Sequence, residues 1–154
     1  MKWHSIILSL HLLATAAMTG LIWFVQIVHY PMFADVPSEA FLLYEIEHQF
    51  RTSFVVIPFM SLELLTGLFL VFRIGGRFLE SREERIVQFA FVLLVLIWGS
   101  TFFIQVPLHE QLALNADSAL IDQLVSTNWI RTISWSLRSL LLLMLVSRRL
   151  KISD

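Results

Sequence analysis

Four apolar runs alternate with polar links along the chain, at residues 5–28, 52–72, 86–106 and 129–146. Each run approaches the about 20 mostly apolar residues that a helix needs to cross hydrocarbon. The pattern predicts an all-α fold, a four-helix transmembrane bundle running up-down-up-down, with 1–154 as one integral membrane domain. Lys2 and the Ala14-Thr15-Ala16-Ala17 stretch give the first run the look of a signal peptide. Its apolar character continues through Leu21, Ile22, Trp23, Phe24 and Val25, beyond the roughly 7–15 residues of a signal core. It is therefore read as an uncleaved first span. Gly75-Gly76 marks a short turn after span two.

The links on the opposite side are longer, and each is expected to hold a short amphipathic helix. Pro37-Ser38-Glu39 reads as a helix start with Ser38 as N-cap. Phe41, Leu42, Tyr44 and Ile46 follow, so this segment extends span two or lies on the membrane surface. Leu120, Ile121, Leu124 and Val125 recur at helical spacing and predict a second short helix, lidding the bundle.

Composition supports the membrane reading. The chain is 57% hydrophobic, with mean hydropathy +0.75 and 15% charged residues, against the roughly 25% charged of soluble domains. A net charge of −1 offers no field for nucleic acid. The absence of cysteine removes disulfides, thiolate ligands and thiol nucleophiles. Lys2, Arg73, Arg77, Arg82, Arg85, Arg148, Arg149 and Lys151 gather on one side, and acidic links on the other. Positive charge stays in the cytoplasm, so both termini are expected there, in a bacterial inner membrane.

The polar residues that interrupt the runs fall at matching ends. Gln26, His29 and Tyr30 close span one; His48, Gln49 and Arg51 open span two. Gln105 and His109 close span three; Asn128, Trp129 and Arg131 open span four. The topology gathers them into one outward-facing pocket, with Gln26 and Trp135 as its floor. His29, His48, His109 and Arg131 are the candidate catalytic residues, and Gln26, Gln105, Trp135, Arg138 and Glu63 the candidate substrate-binding ones. Neutral imidazoles from separate helices suit iron, copper, zinc or haem, so His29, His48 and His109 are also candidate metal ligands. No HxxxH or HExxH spacing accompanies them, and three interfacial histidines bonded to backbone or water explain the pattern equally.

Glu63 and Arg138 are the ionisable residues deepest in their spans, roughly 16 and 14 Å from the outer end at 1.5 Å per residue. The matching depths predict an ion pair, either a structural bridge or a proton or anion site. Arg131, Trp135 and Arg138 share one helical stripe, where two guanidiniums could grip a carboxylate or phenolate and Trp135 could stack on a flat molecule. Pro58 predicts a kink in span two above Glu63. Gly99, Ser100 and Thr101 form a small-residue patch for close helix approach. The Gln26–Arg51 and Gln105–Arg131 intervals hint at an internal repeat, but the matching residues are few enough for chance.

The stretches VQIVHYPMF, HQFRTSFVVIPFMSLE, TFFIQVPLHEQL and NWIRTISWSLR resemble uncharacterised bacterial four-span membrane proteins, which are distantly similar to the anthrone-oxygenase-like family. That family's fungal members oxidise polycyclic anthrones with molecular oxygen. The opening MKWHSIILSLH looks like the small haem-linked membrane protoporphyrinogen oxidases, and that likeness ends there. The first resemblance implies an oxidoreductase or oxygenase acting on a small lipophilic aromatic substrate. The alternative is a non-catalytic membrane protein, a small transporter, lipid-site protein or assembly factor, whose buried polar residues are structural.

Overall fold

A computed structural model describes residues 3–74 and 82–152. The Gly75-Gly76 turn and Arg77 lie outside the described residues. Helix α1 (Trp3–Phe24) runs into a π-helical turn (Val25–His29) and a 3-10 turn (Pro31–Asp35); α2 is Ser38–Ile74. Helix α3 (Arg82–Ser100) runs into a second π-helical turn (Thr101–Gln105) and then α4 (Val106–Leu112); α5 is Ser118–Ile152. No strand occurs among the described residues. Four helical segments are long and apolar enough to cross a membrane.

The first outer link extends span two, one of the two expected arrangements, whereas the second is not a separate lid helix. Residues 38–51 are the first turns of α2 itself, and residues 118–128 are the first turns of α5. At 1.5 Å per residue, the 37 residues of α2 extend about 55 Å, well beyond a hydrocarbon core of about 30 Å. Nothing in either stretch stops a helix: there is no Gly or internal Pro, and buried Phe41, Ile121 and Leu124 tie them to the bundle. Asp117 is the cap of α5. Its Oδ1 accepts from the Ala119 amide at 2.8 Å, satisfying one of the free amides at the helix start.

The two π turns have one cause. Each ends two residues before a proline, Pro31 or Pro107. Proline donates no N–H, and its ring crowds the carbonyl four residues back, here Ile27 or Phe103. An inserted residue relieves the crowding, and bonds lengthen to five residues, as in Tyr30 N–H to Val25 O at 3.0 Å. The insertion rotates the side chains that follow, and it carries Gln26 and Gln105 into buried positions.

The exterior is apolar, and the interior holds many polar groups beside its apolar core. Glu45, Glu63, Asn128, Thr132 and Arg138 are buried, while Leu43, Phe54, Leu65, Phe72, Phe103 and Leu143 are exposed. A water-soluble domain has the reverse order. Hydrocarbon around the bundle explains it, because polar groups at membrane depth must face inward to find partners.

The deepest polar layer ties all four long helices together. Glu63 Oε1 on α2 accepts from Arg138 Nη2 on α5 at 3.0 Å and from Thr15 Oγ1 on α1 at 2.6 Å. Glu63 Oε2 accepts from Trp135 Nε1 at 2.9 Å. Arg138 Nη1 donates to the Ala90 carbonyl on α3, and Arg138 Nη2 lies 3.3 Å from His11 Nε2. His11 Nδ1 meets Thr66 Oγ1 at 2.8 Å, so both of its ring nitrogens are in hydrogen bonds. Gly67 makes room for that ring: a Cβ there would stand 3.2 Å from His11 Cε1. Below this layer Leu8, Leu70, Val87, Leu142 and Leu145 close the bundle; above it Met18, Ile22, Met60 and Ile97 surround Trp135.

Glu63→Gln or Arg138→Gln alone should destabilise the protein by roughly 3–5 kcal/mol, because each leaves the other charge unpaired in low dielectric. The double variant should recover part of that loss. Unfolding in detergent, run as a double-mutant cycle, measures it; strictly additive losses would contradict the coupling.

Candidate functional site

Above the ion-pair layer a cavity of about 290 Å³ opens inside the bundle. All four spans contribute to its wall. Met18 and Ile22 of α1, Val56 and Met60 of α2, and Trp98 form its apolar part. Tyr30, Gln49, Gln105, His109 and Arg131 form a polar end, and Trp135 separates the cavity from Glu63.

Tyr30 is the hub of the polar end. It follows the first π turn and its side chain is 5% exposed. Its hydroxyl lies 3.0 Å from Arg131 Nη2 and 2.9 Å from His109 Nε2. A guanidinium only donates, so the tyrosine oxygen accepts from Arg131. On its other side His109 Nδ1 meets Glu45 Oε1 at 2.5 Å. A carboxylate only accepts, so Nδ1 carries a proton, and in the neutral imidazole Nε2 then accepts from the tyrosine hydroxyl. The order Glu45–His109–Tyr30–Arg131 is a carboxylate, an imidazole and a hydroxyl in line, with a cation beside the hydroxyl. A carboxylate and imidazole so arranged let a hydroxyl give up its proton, as in hydrolytic triads.

A second row of bonds holds this relay in place. Arg131 donates from Nε and Nη2 to Asn128 Oδ1 at 2.9 and 2.6 Å. Asn128 Nδ2 donates to Gln26 Oε1 at 2.9 Å, and Gln26 Nε2 donates to the Val125 carbonyl at 3.0 Å. Gln49 Nε2 donates to Glu45 Oε1 at 3.2 Å and to the His109 carbonyl at 3.1 Å. The spacing explains these pairs: Glu45 and Gln49 are one turn apart on α2, as are Asn128 and Arg131 on α5.

The residues singled out by sequence divide into three groups. His48, His109, Arg131, Gln105 and Trp135 line the cavity. Gln26 packs behind Arg131 against α5, and His29 stands outside, its Nε2 2.9 Å from His48 Nδ1. Glu63 and Arg138 lie below the floor, bonded to each other. Arg138 therefore does not join Arg131 in gripping one ligand, although both share the stripe with Trp135. Among the described residues, no group of three or more His, Asp and Glu could hold a metal ion; His29 faces His48, while His109 faces Glu45 and Tyr30. The sequence reading did not give Tyr30, Asn128 and Glu45 their part. The four-residue step from Glu45 to Gln49 and the three-residue step from Asn128 to Arg131 were the available signals.

No family model, curated protein or solved structure matches this chain.

Asn128→Ala should lower thermal stability by about 1–3 kcal/mol, because Arg131 and Gln26 each lose a buried partner. Asn128→Asp should keep most of the stability, since its carboxylate still accepts from Arg131. Thermal unfolding in detergent distinguishes the two, and equal losses would contradict the bonding scheme.

Proposed function

We propose that this is an integral membrane protein whose cavity binds a small, flat, lipophilic molecule carrying a phenolic or enolic hydroxyl, and that Tyr30 passes that hydroxyl's proton to His109. The observation that carries the reading is that Tyr30, Arg131 and His109 all line the cavity, with the Tyr30 hydroxyl bonded between the other two. A ligand hydroxyl that donates to the tyrosine oxygen has a direct proton path. Tyr30 gives its own proton to His109 Nε2 and takes the ligand's. The imidazolium is stabilised by Glu45 and the ligand anion by Arg131. At about 290 Å³ the cavity sits near the lower end of the roughly 300–1,000 Å³ of small-molecule sites, in keeping with a ligand of a few fused rings.

An electron-rich phenolate or enolate is the form of an aromatic that oxidants attack. The reading therefore extends to an oxidoreductase or oxygenase acting on a lipophilic aromatic, as the likeness to the anthrone-oxygenase-like proteins suggests. A non-catalytic transporter, lipid-site protein or assembly factor is the second reading. It is favoured by the Glu63–Arg138 layer, whose bonds hold helices together away from the cavity. We further propose that both termini are cytoplasmic and that the relay lies at the outer face of a bacterial inner membrane, on the strength of the Lys and Arg asymmetry.

The proton relay is tested by 1-naphthol, whose anion has its own absorption band. Bound to the purified protein, it should show that band at a pH where free naphthol is neutral. Tyr30→Phe should bind naphthol and leave it neutral. Naphthol that stays neutral on the wild type, or an anion band undiminished in Tyr30→Phe, would contradict the relay. Orientation is tested by Ser81→Cys, the sole thiol of that variant. It should resist a membrane-impermeant thiol reagent in intact cells and react after lysis; labelling in intact cells would reverse the topology.

A further inference from the structure

The cavity is walled unevenly. Its linings from α5, Arg131 and Trp135, are buried, as are Met18 and Ile22 of α1 and Val25 of the turn after it, with Leu21 half-buried. Its exposed linings are Ile57 on α2, at 58%, Phe102 in the second π turn, at 56%, and Val106 at the start of α4, at 38%. The cavity thus opens on one side, between α2 and the segment around Phe102. Both borders are irregular there. Pro58, next to Ile57, withholds an N–H from the α2 ladder. Across the gap stands the π turn ahead of Pro107.

The rim is apolar. Phe54 and Phe103, beside the three exposed linings, are themselves exposed, so the opening faces hydrocarbon rather than water. Ile57 lies five residues inside the apolar run that begins at Thr52, so the opening sits near the outer edge of the hydrocarbon. The bonded polar groups Tyr30, His109 and Arg131 lie at the inner end, while Ser53 and Thr101, nearer the gap, turn their hydroxyls to the carbonyls of Phe50 and Ile97. A ligand whose hydroxyl reaches Tyr30 has a volume of about 290 Å³ for its head, and anything longer must leave through the gap.

We infer that the ligand is a membrane-borne phenol or enol with an alkyl or prenyl tail, whose ring system enters sideways from the bilayer between Ile57 and Phe102 while the tail stays among the lipid chains. The inference rests on the phenol-binding reading above. A head that arrives from the bilayer keeps its tail in hydrocarbon throughout, so only the hydroxyl changes surroundings, from the interface to the Tyr30 relay.

The test uses Phe102→Cys, whose thiol is the variant's only one, in phosphatidylcholine nanodiscs. The ligands are 1-naphthol and 4-dodecyl-1-naphthol, each followed by the anion band it acquires on binding. The wild type should bind both, and the unmodified variant serves as the reference for its own labelled form. Modification with benzyl methanethiosulfonate should weaken the dodecyl compound about tenfold or more, and naphthol by less than about threefold. Dithiothreitol should restore both, which establishes that the fold survived. The same label on a cysteine at Phe72, exposed at the far end of α2, should change neither. If the unmodified protein binds naphthol but rejects the dodecyl compound, as it would with a lipid acyl chain seated in the gap, the sideways entry is wrong and the phenol reading stands. Equal effects of the label on both ligands, or none, would also overturn it. If neither ligand binds, the phenol reading fails and takes this inference with it.

Discussion

A carboxylate and a guanidinium buried among four apolar helices must find all their partners within the protein. Glu63 and Arg138 do so by drawing on every span: Thr15 and His11 from α1, Ala90 from α3, Trp135 from α5. The cost of leaving either group unmatched in low dielectric fixes how the helices are rotated about their axes. The same layer sets the depth of the cavity above it, because Trp135 is bonded to Glu63 and also lines the cavity.

The relay at the upper end depends on that rotation. Tyr30, Glu45, His109 and Arg131 come from four separate elements, and each bond between them crosses from one to another. Arg131 stands seven residues from Arg138 on α5, nearly two turns, so the register that pairs Arg138 with Glu63 also points Arg131 inward. A shift of α5 large enough to disturb one would disturb the other. The two polar layers bracket the cavity, and this is why a space with largely apolar walls keeps a defined chemical end.

Much of this arrangement was legible in the sequence. Hydropathy gave four spans, and counting residues from the span ends put Glu63 and Arg138 at one depth. The gathering of His29, His48, His109 and Arg131 at one end followed from topology. What sequence periodicity could not give was the direction in which each side chain points. Each π turn inserts a residue and rotates everything after it by about 100°, so Gln26 turns toward Asn128 while Gln105 reaches the cavity. The same rotation brings Tyr30 to the hub and leaves His29 outside. The stretch at residues 118–128 was misread as a separate lid for another reason: an amphipathic period looks alike whether the helix is separate or continuous with a span, and only a breaking residue would mark the difference.

The central claim is that a lipophilic phenol occupies this cavity rather than the outer surface of the bundle. Photolabelling with an azide-bearing naphthol, followed by peptide mapping of the purified protein in lipid, locates it directly. The account predicts adducts at Val56, Met60 or Trp98, suppressed by excess 1-naphthol. Adducts confined to outward residues such as Leu65, Phe89 or Leu143, or unaffected by competition, would contradict it.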